Sequence, residues 1–189
     1  MFKTKGFILK TALYNFRLWK GNVRVTATFL FAFILCFLLT AKSVDFAVEH
    51  ETTLQIAEVF LWTFGDSNSI LLSSLLLLLL YSDMPFITLA TPFFLVRGNR
   101  VKWIMGQMFY ICTSTIVYLF FILLSTCILC MRMSYIANIW SKTAAILAYS
   151  DEGKLLNLPS TVKMIEMDRP YQTLIYVFLL MVLYTLVMA

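Results

Sequence analysis

A run of leucines near the middle of the chain constrains the fold more than any other feature. The run from Ile70 to Leu80 reads ILLSSLLLLLL, and no charge interrupts it. A helix that is apolar on all sides is buried in a protein core or in a membrane. Hydrophobic residues make up 61% of the chain and charged residues only 13%, against about 25% charged residues in soluble domains. The sequence therefore predicts an all-α integral membrane protein.

The apolar residues are grouped in segments of about the length that crosses a bilayer. A transmembrane helix needs roughly 20 apolar residues, so the sequence predicts about four spans. We place them at residues 25–44, 68–84, 103–131 and 171–189, within a single transmembrane domain over residues 1–189. The third span is longer than a bilayer requires and is expected to tilt. No basic residue follows the fourth span, so we expect the sequence to stop short of a finished inner end.

The charged residues are distributed in the way that orients a membrane protein. The basic residues before the first span, with no acidic residue among them, are Lys3, Lys5, Lys10, Arg17, Lys20 and Arg24. The charges of residues 43–67 are all acidic, and those of residues 97–102 are basic again. Lys and Arg concentrate in cytoplasmic loops, which predicts a multi-pass plasma-membrane protein with a cytoplasmic N terminus. The net charge of +5 thus indicates topology and attraction to anionic lipid, and not nucleic-acid binding.

Residues 6–20 have the pattern of an amphipathic helix that lies on the membrane surface. Its apolar face holds Ile8, Ala12, Phe16 and Trp19, with Leu9 and Leu13 at the flank. Basic residues recur every seven positions on the other side, at Lys3, Lys10 and Arg17. This combination is typical of an interfacial helix. The alternative is a basic tail that only obeys the positive-inside rule.

The end of the leucine run carries Asp83 and Pro85, which we interpret as a hinge. Pro85 removes a helical hydrogen bond and disfavours helical geometry at the residue before it. The second span then ends near Asp83, and residues 85–102 form a short cytoplasmic element. A straight helix would instead put Asp83 near the bilayer centre, at a cost of roughly 2.5–3.5 kcal/mol. That alternative would make Asp83 a proton or substrate carboxylate.

Two segments outside the spans show helical periodicity. Residues 54–64 place Leu54, Ala57, Leu61 and Phe64 on one face. In the extracellular segment 132–170, a second face holds Ile136, Ile139, Trp140, Thr143, Ile146 and Leu147. We predict that both helices rest against the outer leaflet.

The chain lacks the residue patterns of an enzyme. It has no glycine-rich phosphate loop, no His/Glu metal cluster, and no Ser-His or Cys-His pair within plausible reach. Cys127 and Cys130 have metal or redox spacing, but they lie in an apolar span without a second pair or a nearby His. His50 is the only histidine, and we expect an exposed polar turn there rather than a metal site. We predict a protein without catalytic activity, cofactor or metal, so that any ATP hydrolysis comes from a partner.

Four local motifs resemble one family of membrane proteins. They are SDMPF at residues 82–86, VRGNRVKW at 96–103, GQMFYI at 106–111 and NIW at 138–140. Together with the order of the elements, they resemble the ABC-type exporter permeases of the second class, and more closely permease-like membrane subunits of Gram-positive bacteria. The resemblance covers roughly residues 7–148. Family halves generally have six spans, whereas about four are present here.

The resemblance implies a function and a set of partners. It implies the permease subunit of an exporter of amphipathic peptides, lipids or drugs, paired with a second permease subunit in a homodimer or heterodimer and with separate ABC ATPase subunits. The element between the second and third spans would be the coupling contact with the ATPase. On this sequence that contact comprises Phe86, Phe93, Phe94, Leu95, Arg97, Arg100, Lys102 and Trp103. Aromatic and Arg residues of this kind often carry the energy of an interface.

Other functions stay open at the level of sequence. The basic turn could serve only to fix topology and to bind lipid headgroups. The chain could then be a non-transporting scaffold or an immunity protein that binds a peptide or a membrane partner. A substrate-capture subunit of an energy-coupling-factor importer has a similar length. Such subunits carry a small-xxx-small pattern in the first span, and Ala27 and Ala32 do not have that spacing.

Overall fold

The structure is a computed structural model that describes residues 2–82, 84, 92, 96, 100–150, 153 and 162–188. Its helices are α1 (Phe2–Arg17), α2 (Val23–Glu49), α3 (Glu58–Thr63), α4 (Ser67–Tyr81), α5 (Arg100–Cys130), α6 (Lys142–Tyr149), α7 (Val162–Met167) and α8 (Pro170–Met188). Two short strands, β1 (Leu54–Gln55) and β2 (Ser134–Tyr135), pair in parallel. By length and composition, α2, α5 and α8 could each cross a membrane. The prediction of an all-α membrane protein is confirmed at this level.

A glycine turn and two polar capping residues determine where α2 and α4 begin. Gly21 has a φ of +87°, a conformation that glycine adopts without strain, and it turns the chain between α1 and α2. Asn22 then caps α2, because its side chain accepts a hydrogen bond from the Arg24 N–H at 3.0 Å. Asp66 caps α4 in the same way, with Ser69 N–H and Oγ at 3.1 and 2.9 Å.

The four helices of the bundle alternate in direction. Helices α2 and α5 run one way, and α4 and α8 run the opposite way. One end of the bundle, which we call the base, contains α1, the starts of α2 and α5, and the end of α4. Arg24 donates to Ser82 there at 3.2 Å. The other end, which we call the cap, contains residues 50–66 and 131–149. The core between them includes Ala32, Cys36, Leu77, Tyr118, Leu119, Ile122 and Met181.

The segment 54–64 differs from its sequence prediction. Leu54 belongs to β1, and the helix covers only Glu58–Thr63. Its predicted lipid-facing residues Leu54, Ala57, Leu61 and Phe64 are all buried inside the protein. The reason is the length of α4, which at 15 residues and 1.5 Å per residue is about 22 Å long, against about 46 Å for α5. Helix α3 fills the space that α4 leaves between α2, α5 and α8.

The helix predicted over residues 136–147 is also wrong in its first half. Residues 134–135 form β2, and α6 begins only at Lys142. Just before the predicted helix, the backbone pairs with the other loop, and Ile56 N–H donates to the Tyr135 carbonyl at 3.3 Å. Ile136 is 80% exposed, so the apolar periodicity does not reflect one packed face.

Candidate functional site

The base of the bundle is built on close packing between α1 and α5. Thr11 and Asn15 on α1 are only 1% and 2% exposed, and Ala12 is buried between them. Opposite them lies Gly106 of α5, where an added Cβ would stand 2.8 Å from Thr11 Cβ and 2.9 Å from its Cγ2. Real Cβ atoms do not approach this closely, so the helices can meet here only because residue 106 is glycine.

Two side-chain hydrogen bonds fix the register of this contact. The buried Asn15 donates through Nδ2 to Gln107 Oε1 at 2.7 Å. One turn further, Trp19 Nε1 donates to the Tyr110 hydroxyl at 2.6 Å. The Phe16 ring also packs edge-on against Tyr110, with the centroids 4.9 Å apart. Because each bond satisfies a polar group that burial would otherwise leave unpaired, a shift of α1 along α5 would be costly.

The packing of α1 differs from the apolar face that its sequence predicts. Ala12 packs against the protein, as an apolar-face residue would, but polar Thr11 and Asn15 are buried beside it. Leu9 and Leu13 are instead about half exposed. The face that meets α5 therefore combines polar, small and aromatic residues, whereas Leu9 and Leu13 remain half exposed. Two polar residues four positions apart, flanking an alanine, were the available signal for helix packing.

The end of α4 is fastened to α5 in the same region. The Tyr81 hydroxyl lies 2.6 Å from Thr115 Oγ1 and 3.1 Å from Ser114 Oγ, and donates to the Ile111 carbonyl at 3.2 Å. Ser114 and Thr115 are buried, as are Ser125 and Thr126 further along α5. The polar stripe of α5 thus packs helix against helix, which is its usual role in membrane proteins.

Only part of the predicted coupling contact lies in the described residues. Arg100, Lys102 and Trp103 occupy the first turn of α5, where Arg100 is exposed and the other two are half-buried. They directly precede the Gly106 and Gln107 contacts with α1. The remaining predicted residues, Asp83, Pro85, Phe86, Phe93, Phe94, Leu95 and Arg97, lie outside the described residues.

A second polar cluster lies in the cap and centres on Glu58, which is fully buried. One carboxylate oxygen accepts from the Ser141 N–H at 2.7 Å. The other accepts from Ser141 Oγ at 2.6 Å and from the Gln55 N–H at 3.0 Å. Burial raises the pKa of Glu58, and the hydrogen bonds from Ser141 and Gln55 partly oppose that shift. Ser141 also caps α6, since its Oγ accepts from the Ala144 N–H at 3.0 Å.

Further hydrogen bonds join the two loops of the cap. Thr52 and Thr143 hydroxyls lie 2.7 Å apart, and Thr143 also donates to the Thr53 carbonyl. Gln55 Nε2 donates to the Ala137 carbonyl at 3.3 Å. The cluster therefore holds the loops together. One signal for this cluster was present in the sequence, since Glu58 precedes an apolar run, whereas Glu51 and Asp66 of the same loop have polar or glycine neighbours.

The described part of the chain contains no cluster of side chains that could hold a metal ion. No group of three or more His, Cys, Asp or Glu side chains is found there. The His50 ring lies over Phe46, with centroids 4.2 Å apart. All four cysteines are free thiols, and Cys36 and Cys130 are buried.

Comparison of the chain with models of protein families, with curated proteins and with solved structures finds no significant match. The length and composition of its helices define the class of the chain, an all-α protein with helices long and apolar enough to span a membrane.

Proposed function

We propose that this chain is the permease subunit of an ATP-driven exporter of the kind that its motifs resemble. The supporting observation is the fastening of α1 to the first turns of α5, immediately after the basic segment that ends in Arg100 and Lys102. A force applied to that segment by an ATPase would act on α5 directly. Because α1 is fixed to α5, the two helices would move together.

Helix α5 is suited to carry such a movement through the bundle. Its buried residues run from Gly106 near the base to Cys130 at the cap. Along this length it contacts α1, α2, α3 and α8. Closely packed helices have few intermediate arrangements. A displacement of the base of α5 would therefore reach the cap as a rearrangement of the whole helix.

We further propose four spans and a cytoplasmic base, with α4 as the short second span. The described residues at the base include the basic residues Lys10, Arg17, Lys20, Arg24, Arg100 and Lys102. All acidic residues except Asp83 belong to the segments 45–66 and 151–168. The positive-inside rule favours a cytoplasmic position for the end that is rich in Lys and Arg.

The route of the substrate would lie between two permease subunits. In the described residues, the cavity between α4 and α8 measures about 10 Å³ and is lined by Leu77, Tyr81 and Thr185, among others. A volume of this size holds at most one water molecule, and is far too small for an amphipathic peptide, lipid or drug. A second copy or a related permease would supply the other wall.

The test is co-purification of the tagged full chain with an ATPase from its native membrane, followed by assay of ATP hydrolysis. We expect Phe94→Ala with Arg97→Ala, and separately Arg100→Gln, to reduce ATPase recovery and its stimulation without preventing membrane insertion. The matched control is Arg132→Gln, which removes an exposed arginine just beyond the opposite end of α5. Equal recovery from all variants would contradict the coupling contact.

The rival function is a membrane scaffold or immunity protein that transports nothing. The observation in its favour is the cap, whose loops are joined by the buried Glu58 cluster. A fixed cap suits binding of a peptide or membrane partner. If the intact chain is recovered from native membranes with a peptide or membrane protein and without an ATPase, the scaffold is correct.

A further inference from the structure

A groove of about 560 Å³ runs along α1, beside its contact with α5. Among the described residues it is lined by Lys10, Leu13, Tyr14, Phe16 and Arg17. Lys10, Leu13, Tyr14 and Arg17 have the spacing that places side chains on one helix face. The volume falls within the range of small-ligand sites, about 300–1,000 Å³.

One wall of the groove is fixed by the packing at the base. The Phe16 ring lies against Trp19 and Tyr110, at centroid distances of 5.0 and 4.9 Å. Trp19 is in turn hydrogen-bonded to Tyr110. The groove is therefore formed on a helix whose position and aromatic side chains are already held by α5. On this wall a ligand would meet a side chain whose conformation is already restricted, which lowers the entropy cost of binding.

The charge and polarity of the groove select its occupant. Lys10 and Arg17 are exposed at its two ends, about 10 Å apart along the helix axis. The sequence contains no acidic residue before Asp45. Between the two cations, Leu13 is 53% exposed. A ligand that matches this surface has an anionic head and an apolar body.

We propose that this groove binds one anionic phospholipid, with the phosphate headgroup between Lys10 and Arg17 and an acyl chain along Leu13 and Phe16. Arg presents a planar fork of donors to phosphate and Lys a point charge. The site holds α1 at the membrane surface through a specific lipid, in addition to general attraction of basic residues to the bilayer. It does not depend on the exporter proposal, because its test needs no ATPase.

The test is native mass spectrometry of the purified full chain in detergent, titrated with phosphatidylglycerol or with phosphatidylcholine of the same acyl chains. We expect one phosphatidylglycerol to bind at lower concentration than phosphatidylcholine. Each cation near an anionic headgroup is worth about fivefold in affinity, so Lys10→Gln with Arg17→Gln should weaken phosphatidylglycerol binding about thirtyfold. Each single substitution should weaken it about fivefold, and phosphatidylcholine binding should not change.

Two matched variants separate the site from total charge. Lys142→Gln with Lys163→Gln removes two exposed positive charges far from the groove and should leave binding unchanged. Lys10→Arg with Arg17→Lys keeps both charges and should retain the preference. Equal weakening in both charge-removing variants, or no weakening in either, overturns the proposal. Displacement of the lipid by soluble glycerol phosphate at similar concentration also overturns it, because the site would then bind a soluble anion.

Discussion

The contact between Gly106 and Thr11 makes a quantitative prediction about alanine at two glycines. At position 106 a Cβ would lie 2.8 and 2.9 Å from two Thr11 carbons and 3.3 Å from the Ile8 carbonyl oxygen. Optimal carbon–carbon contacts are about 3.5–4.0 Å, so α1 has to move by several tenths of an ångström. At Gly6, also within α1, no atom lies within 4 Å of an added Cβ. The two substitutions are chemically identical and differ only in the space around them.

The expected free-energy changes have opposite signs. Replacing glycine by alanine inside a helix stabilises it by about 0.8–1 kcal/mol. Overpacking at position 106 costs about 1–3 kcal/mol, which leaves Gly106→Ala destabilised by up to about 2 kcal/mol. Gly6→Ala meets no such cost and should be stabilised by roughly 0.5–1 kcal/mol. The two variants should therefore differ by about 1–3 kcal/mol.

The assay is thermal unfolding of the detergent-purified variants, with hydrogen exchange of the α1 amides as a local probe. Gly106→Ala should melt below Gly6→Ala and exchange faster in α1. Adding Thr11→Gly to Gly106→Ala removes both of the nearest carbons and should recover part of the loss, as a double-mutant cycle would reveal. If Gly106→Ala matches Gly6→Ala in both readouts, α1 does not pack on α5 as described.

Three further predictions concern the two polar clusters. Glu58→Gln should destabilise the protein by about 1–3 kcal/mol in a thermal melt, because one buried donor, such as the Gln55 N–H, then faces an amide NH₂ instead of an acceptor. Since the pKa of Glu58 is raised above its ordinary 4.5, the folded state holds its proton more tightly than the unfolded state. That contribution to stability is complete below about pH 4.5 and is lost as pH rises through the raised pKa. A series of thermal melts at increasing pH should show this decline in the wild type but not in Glu58→Gln. Asn15→Leu and Gln107→Leu should each reduce the free energy of unfolding by about 1–3 kcal/mol. The double variant should lose less than the sum of the two, because neither partner is then left unpaired. Additive losses in the thermal melts would argue against the hydrogen bond.

Composition was sufficient to predict the class of the fold. The apolar character of a segment such as Ile70–Leu80 can be recognised from its local sequence alone. The contacts at the base could not be predicted in this way. Asn15 and Gln107 lie 92 residues apart, and nothing local distinguishes a polar residue that faces a partner helix from one that faces water.

The two errors in the cap have a common physical cause. Residues 54–64 and 136–147 both have helical periodicity, but strand pairing occupies the start of the first segment and the residues just before the second. Leu54 N–H donates there to the Met133 carbonyl at 3.0 Å. Tertiary hydrogen bonding and the burial of Glu58 outweigh a helical preference of a few tenths of a kcal/mol per residue. A buried carboxylate needs hydrogen-bond donors, and Glu58 finds them in Ser141 and Gln55.

The proposed function requires that the base of α5 lie in the cytoplasm and contact an ATPase. Its most direct test is site-specific photo-crosslinking in intact cells, with a photoreactive amino acid at position 100 and, as control, at position 132. We predict that position 100 crosslinks to a nucleotide-binding subunit and position 132 does not. Crosslinks from position 100 to lipid alone, or an ATPase adduct at position 132 only, would contradict the proposed function.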